Sequence, residues 1–271
     1  MTRSLLIAFL FPTLVLAQQQ NHRSRSELGF LIGGSYYLGD LNQFKQFYNT
    51  QLAGGILYRY NYHSRLSIRG NVTYGSVKAS DADSRIDLLK NRNLSFESRI
   101  IELAGGVEFN YFPFQIGHDR YKGTAYLLAE IGLFRMNPKT EYNGDMIELQ
   151  PLGTEGQGSS LSQKENYSLT QISIPLGVGC KLSLGKKASI SFEYGIRKTF
   201  TDYLDDVGSG TFVDPDALAA ENGPLAAELS NRNLNGSRFG KRGSTATTDW
   251  YTFFGTMLTF RLGKPNKCFD H

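Results

Sequence analysis

The chain has 271 residues, 40% of them hydrophobic and 13% aromatic, with 29 glycines, enough for one large all-β domain. Its formal net charge of +4 is dispersed along the chain and excludes a nucleic-acid-binding role built on a basic patch. Two cysteines, Cys180 and Cys268, exclude a disulfide framework, and no apolar run is long enough to cross a membrane as a helix; a mean hydropathy of -0.31 still allows a membrane barrel, whose lipid-facing residues are only every second one.

In chain order, residues 1–17 read as a signal peptide: Arg3 near the start, an apolar run from Leu5 to Leu16, and small residues up to Ala17. The run is too short to span a bilayer as a helix. A mature chain starting at Gln18 has no cysteine there to carry a lipid, and residues 18–26 form a polar periplasmic lead.

From Glu27 the sequence alternates with a period of two, which sends successive side chains to opposite faces of a strand. Strand one sets Leu28, Phe30, Ile32, Gly34 and Tyr36 against Glu27, Gly29, Leu31, Gly33, Ser35 and Tyr37. Strand two carries Leu52, Ile56, Tyr58, Tyr60 and Tyr62 against Arg59 and Asn61, and strand three Leu66, Ile68, Val72 and Tyr74 against Arg65, Arg69 and Asn71. Strand four opposes Ile101, Leu103, Val107 and Phe109 to Glu102 and Glu108, and strand five opposes Leu127, Ile131 and Leu133 to Tyr126 and Glu130. Residues 171–200 form a basic-turned hairpin, with Ile172 to Leu184 and Ala188 to Phe200 as two arms of one apolar face each. Strand eight places Trp250, Phe254, Leu258, Phe260 and Leu262 opposite Tyr251, Phe253, Thr259 and Arg261. Arms of about a dozen residues exceed the usual five or six of a soluble strand and match a tilted membrane strand.

The connections alternate in length. Residues about 38–50, 76–96, 137–166 and 202–248 are long, whereas those around 63–64, 113–122 and 185–187 are short. Outer-membrane barrels sort their loops this way, with short periplasmic turns and long extracellular loops, and an even strand count puts both termini in the periplasm. The predicted fold is therefore all-β: an eight-stranded antiparallel transmembrane outer-membrane β-barrel over residues 27–262, with a periplasmic tail at 263–271.

The inward face carries Glu27, Arg59, Arg65, Arg69, Glu102, Glu108, Glu130, Lys181, Glu193, Arg197 and Arg261, with acids and bases nearly balanced. A barrel of eight strands is filled by its own side chains, so these groups are expected to pair as a lumen charge network; a selective ion path is the alternative. Tyr36, Tyr58, Tyr60, Tyr62, Tyr74 and Tyr111, with Trp250, are placed as interface girdles. Cys180 falls on a lipid-facing position and reads as a small apolar residue.

The chemistry of the sequence is sparse. Of the histidines, His22 lies in the lead, His271 in the tail, and His63 and His118 on short turns, so no base is available at the outer rim for a nucleophilic triad. No catalytic residue, metal site or cofactor is assigned. The acidic stretch of residues 201–207, continuing through 211–215 with Asp202, Tyr203, Asp205, Asp206 and Asp214, reads as a solvated loop; oxygen ligation of calcium is the alternative, without EF-hand spacing. Residues 216–229 are expected to form a short helix broken at Gly223 and Pro224, packed over the barrel mouth.

The motif Thr201-Asp202-Tyr203-Leu204-Asp205-Asp206-Val207 with Thr211-Phe212-Val213-Asp214-Pro215, the opening Glu27-Leu28-Gly29, the run from Gly34 to Asn42 and a last strand beginning Asp249-Trp250-Tyr251 resemble the PorG-like outer-membrane barrels of Bacteroidota. The likeness covers essentially the whole mature chain. It implies a non-enzymatic subunit of the type IX secretion system, which exports proteins and supports gliding motility in some species, acting as an anchor for a periplasmic ring built of a lipoprotein and its partner. In that role the contacts come from the periplasmic side, where His63, His118, Lys186, Lys187, Lys264 and Lys267 stand, and the basic rim suits an acidic patch on the partner. The other expected partners are outer-membrane lipids, around a monomeric barrel. Rival readings are a small surface barrel for adhesion or envelope integrity working through its long loops, a lipid-modifying enzyme, and a small-solute channel.

Overall fold

In the computed structural model the described residues are 25–208, 210–246 and 248–263. The expected signal peptide, nearly all of the lead, and the tail beyond residue 263, with His22, Lys264, Lys267, Cys268 and His271, lie outside them.

The period-two segments fold as β1 (Ser26–Leu38), β2 (Gln51–His63), β3 (Leu66–Ser80), β4 (Ser95–Asn110), β5 (Gly123–Arg135), β8 (Thr170–Leu184), β9 (Ala188–Thr199) and β10 (Trp250–Leu262); between β5 and β8 lies a small hairpin of β6 (Pro138–Tyr142) and β7 (Asp145–Glu148). Each large strand pairs antiparallel with its sequence neighbour among the eight, and β1 pairs with β10 from Ser26↔Leu262 to Leu38↔Trp250. The sheet is thereby a closed eight-stranded up-and-down barrel with no free edge. Short turns supply the closure at one end: Gly185, at φ +72°, turns β8 into β9, and a register shift between Asn61 and His63 tightens the turn into β3.

The surface is inverted relative to a soluble protein. Outward side chains are apolar and exposed, as at Ile32 (65%), Ile131 (72%) and Leu103 (62%), whereas the inward Glu27, Arg59, Glu102 and Glu108 are buried. Such a belt stabilises the fold in lipid and would cost dearly in water, so the strands are membrane-spanning. No helix among the described residues is long and apolar enough to cross a membrane.

Two elements run past the expected loop boundaries. The segment 76–96 is not all loop: β3 continues to Ser80 and β4 begins at Ser95, the two pairing up to Ser80↔Ser95. The reason is a reversal of the alternation. Beyond Tyr74 and Ile101 the inward positions become apolar (Val77, Ala79, Phe96, Ile100) and the outward ones polar (Lys78, Glu97, Arg99), the pattern of a sheet that faces water outside. A helix α1 (Asp87–Arg92) caps this extension and ends on Asn93 in the left-handed conformation. The 137–166 connection likewise contains β6 and β7, which add to the edge of β4 at Glu97↔Lys139. In the last long loop α2 (Pro215–Asn222) starts on the Asp214 cap and α3 (Pro224–Ser230) follows across Gly223, at φ +94°.

At the long-loop end an apolar core joins barrel and loops: Tyr37, Phe96, Phe134 and Phe253 from strands pack with Leu204 and Leu229 from the last loop. The loops therefore form a folded lid on the barrel.

Candidate functional site

Among the described residues the lumen is filled by a chain of seven ion-paired residues and, nearer the lid, by a separate pair of Arg197 and Glu102. Arg59 bridges Glu27 at 2.9 Å and Glu108 at 2.8 Å, and Lys181 also meets Glu108. Arg69 contacts Glu108 at 3.3 Å, Glu130 at 2.9 Å and Glu193 at 2.7 Å. Hydroxyls and amides take up further carboxylate oxygens: Tyr126 Oη donates to Glu193 (2.8 Å), Asn71 Nδ2 to Glu130 (2.8 Å) and Asn61 Nδ2 to Glu27 (2.6 Å). Nearer the lid, Glu102 accepts from Arg197 at 3.3 Å, Tyr251 Oη at 2.6 Å and Ser173 Oγ at 3.2 Å. In a low-dielectric interior each such charge is tolerable only because opposite charges are close.

Nine of the eleven residues expected in this network are brought together there. Arg65 is not: it is exposed in the turn after β2, one position short of the strand that starts at Leu66, so the inward register never reaches it. Arg261 faces the short-turn end of the lumen but meets backbone, donating from Nη1 to Ile116 O and from Nη2 to Lys186 O at 2.5 Å each.

Those two bonds belong to a second closure. The connection 113–122 turns back into the barrel, burying Phe114 and Ile116, and the Lys181 ammonium lies 4.8 Å from the Phe114 ring. Outside this plug stand the residues expected to contact a partner. Lys186 and Lys187 are exposed; His63 Nδ1 accepts the Arg65 N–H, and His118 stacks on Tyr121 at 4.5 Å. The structure places these four at the short-turn end of the barrel.

The acidic motif is not a solvated loop. Leu204, Asp205, Asp206 and Val207 are all buried in the lid, because the apolar pair enters the core between barrel and loops and carries the acids down with it. Tyr37 Oη stands 2.6 Å from Asp205 Oδ2 and 2.8 Å from Asp249 Oδ1, while Asp249 Oδ2 accepts the Leu204 N–H at 2.9 Å. Asp206, at φ +67°, accepts from Thr154 Oγ1 at 2.5 Å and Tyr167 Oη at 2.7 Å. Burial pushes Asp206 up to about 6 despite the nearby Arg242, and burial with the fields of Asp40 and Glu155 pushes Asp202 up to about 7. Asp205 and Asp249 are likewise raised well above the ordinary aspartate range, by burial above all and for Asp205 also by Asp249 itself. Tyr203 stacks on Tyr167 at 4.6 Å, and Asp214 works as the helix cap, 3.5 Å from Arg238.

Two arginines that the sequence pattern does not single out tie this lid together. Arg242 donates to Glu155 at 2.6 Å and to the Asp206 carbonyl at 2.9 Å; Arg92 grips Asp81 with two bonds of 2.6 and 2.7 Å and reaches the carbonyls of Asp40 and Arg242. Arg92 ends the short helix α1 and Arg242 lies in a loop, both outside the period-two strands, so only the three-dimensional structure reveals their role. Among the described residues no group of three or more His, Cys, Asp or Glu side chains is arranged to hold a metal ion.

Of the expected aromatic girdle, Tyr58, Tyr60, Tyr62, Tyr74 and Tyr111 are exposed on the outer wall. Tyr36 is an exception: it faces outward yet is wholly covered, because Phe47 of the first long loop lies against it at 5.3 Å. Trp250 is half-buried with the Lys198 ammonium 4.5 Å from its ring, and Cys180 is a free thiol on the exposed wall.

Solved structures similar to this chain include Ail, the attachment invasion locus protein of Yersinia pestis, in complex with the heparin analogue sucrose octasulfate (9% identity, TM-score 0.42, 89% of this chain and 99% of that one). Neisserial surface protein A matches at 10% identity and TM-score 0.44 over 88% and 98% of the two chains, and the outer membrane protein OprG from Pseudomonas aeruginosa at 10% and 0.39 over 89% and 98%. No curated protein matches the sequence. A family model described as a domain of unknown function, DUF6089, matches residues 3–214, and the chain, an outer-membrane β-barrel, belongs to that family.

Proposed function

We propose that this protein is a non-enzymatic structural subunit of the outer membrane, an anchor for a periplasmic assembly, with both termini on the periplasmic side. The observation that carries this reading is the filled lumen: ion pairs cross it, the 113–122 plug closes one end and the lid closes the other. A barrel closed in this way has no path for solute, so its work falls to its two ends and its wall. Taken with the resemblance to the PorG-like barrels, the assembly is the type IX secretion system and the partner its periplasmic ring of a lipoprotein and a second protein. The exposed Lys186 and Lys187 give the short-turn end a basic rim suited to an acidic partner surface.

A second reading, a small surface barrel for adhesion or envelope integrity, draws on the lid. Long loops packed into one buried core present a fixed outer surface, with Leu234 and Phe239 exposed on it.

Affinity purification of the tagged protein from gently solubilised native outer membranes separates the two. The anchor reading expects the ring proteins to co-purify and to be lost when Lys186 and Lys187 are replaced by glutamate. Recovery of the barrel alone, from membranes with intact rings, would overturn it in favour of the surface reading.

A further inference from the structure

The first long loop does not rise away from the barrel. It folds down over the outer wall, where β9, β10 and β1 meet. Phe47 packs against the outward faces of Tyr36 (5.3 Å), Phe254 (5.0 Å, edge-on) and Tyr194 (6.1 Å). Gln46 Oε1 accepts from Tyr36 Oη at 2.5 Å and from Tyr194 Oη at 3.2 Å. Its seat is prepared on the wall: a Cβ on Gly34 would stand 2.5 Å from Thr50 Cγ2 and 2.8 Å from Phe254 Cζ. The loop thus covers hydroxyls that would otherwise face lipid and turns Phe47 outward in their place at 54% exposure; Phe44, at 82%, stands at the edge of this patch beside Lys45 and Arg85.

The backbone of the loop is partly capped by its own side chains. Phe47 is held at φ +59°, a conformation a bulky residue adopts only when its surroundings impose it. Carbonyls that water would satisfy on an ordinary surface loop are met by side chains instead: Lys45 O by Asn42 Nδ2 (2.9 Å), Phe47 O by Thr50 Oγ1 (2.8 Å), Asn49 O and Thr50 O by Gln51 Nε2 (2.8 and 3.1 Å). Unsatisfied backbone groups are expensive in hydrocarbon, and this self-capping lowers that cost. The surface is continuous with the apolar belt, since Ile32 lies on the same face of β1 two residues below Gly34, and Leu52 opens β2 just after the loop.

We propose that the tip of this loop docks on the barrel wall at the membrane surface and presents Phe44 and Phe47 to the acyl chains of the leaflet on the long-loop side, while Lys45 and Tyr48 tie it back to Asp83 of the water-facing extension. The inference rests on the membrane-spanning reading of the strands and adds to it a lipid-contacting site in what is otherwise an outer loop.

The test uses tryptophan as a depth probe. The chain has one tryptophan, so Trp250→Phe gives a silent background. Into it go Phe44→Trp and Phe47→Trp, with Ile131→Trp on the belt and Asp145→Trp at the tip of the β6–β7 hairpin as references. In phosphatidylcholine vesicles the Phe44 and Phe47 probes should be quenched by acyl-chain bromines as Ile131→Trp is, and be at least about fivefold less accessible to aqueous iodide than Asp145→Trp. Adding Gly34→Leu, which fills the seat, should move the Phe47 probe toward the iodide-accessible reference while the Ile131 probe stays quenched. Iodide accessibility equal to the Asp145 reference at both loop positions, with Ile131→Trp still quenched by bromine, would overturn the inference alone. An unquenched Ile131 probe would overturn the membrane-spanning reading together with it.

Discussion

Arg69 and Glu193 form a two-bond ion pair, with Nη1 2.7 Å from Oε2 and Nη2 3.2 Å from Oε1, across the full width of the barrel. Their strands, β3 and β9, lie four strands apart in either direction around the ring, so the pair joins opposite walls. Arg69 also holds Glu108 and Glu130, which makes this guanidinium the centre of the filling. A closed lumen follows from that geometry directly.

Removing that centre should be costly. Arg69→Ala leaves three buried carboxylates short of a partner, and breaking buried pairs in this way destabilises by about 3–5 kcal/mol. Urea unfolding in detergent micelles, followed by the heat-dependent shift of the folded barrel on gels, should show that loss. Arg238→Ala, which removes an exposed pair with Asp216, should leave the transition where it is.

The lid should loosen as the medium becomes alkaline. Asp202 and Asp206 titrate near 7 and 6 in the folded protein, above the value of about 4 for an unfolded aspartate, so folding favours their protonated forms. Their contribution is complete below about pH 4 and is lost as the pH rises through 6 and 7. Hydrogen exchange of residues 202–208, corrected for intrinsic rates, should be faster at pH 8 than at pH 5.5, and Asp202→Asn with Asp206→Asn should flatten the difference.

Tyr37 supplies one hydroxyl proton to two buried acids, so its contacts to Asp205 and Asp249 are both hydrogen bonds only when one acid is protonated. Tyr37→Phe removes the donor and should cost about 1–3 kcal/mol at neutral pH. Asp249→Asn removes one of the raised-pKa charges and should cost less than Tyr37→Phe, or stabilise the lid. The same unfolding transition reads both.

Arg242→Ala should separate lid from barrel. The side chain joins Glu155 of one long loop to the Asp206 carbonyl and the Ser230 carbonyl of another, and touches no strand residue among its hydrogen-bond partners. Limited proteolysis should cut between residues 202 and 248 in the variant, while the barrel keeps its heat-dependent gel shift. Collapse of the barrel itself would show that the two are one cooperative unit.

How far the fold was legible follows from the same physics. Strands with lipid outside and charge inside announce themselves by period two, and Glu27, Arg59, Arg69, Glu108, Lys181 and Glu193 could be assigned to one interior from alternation alone. Arg65 shows the limit, since a period says which face a residue takes and not where the strand begins. The extensions of β3 and β4 were hidden because Val77, Ala79, Phe96 and Ile100 reverse the code once the sheet leaves lipid. The lid was least legible: Asp205 and Asp206 look like solvent-facing acids, and what buries them is Leu204 and Val207 meeting strand residues far away in sequence. Phe47 on Tyr36 is a contact that no local pattern encodes.

The measurement closest to the central claim is single-channel recording of the purified protein in planar bilayers. A lumen spanned by Arg69 and Glu193 and plugged by Phe114 and Ile116 predicts a current indistinguishable from the bare membrane after insertion is confirmed by protection of the strands from protease. Discrete, reproducible conductance steps that scale with inserted protein would contradict it, and with it the view that this barrel works by its ends and wall.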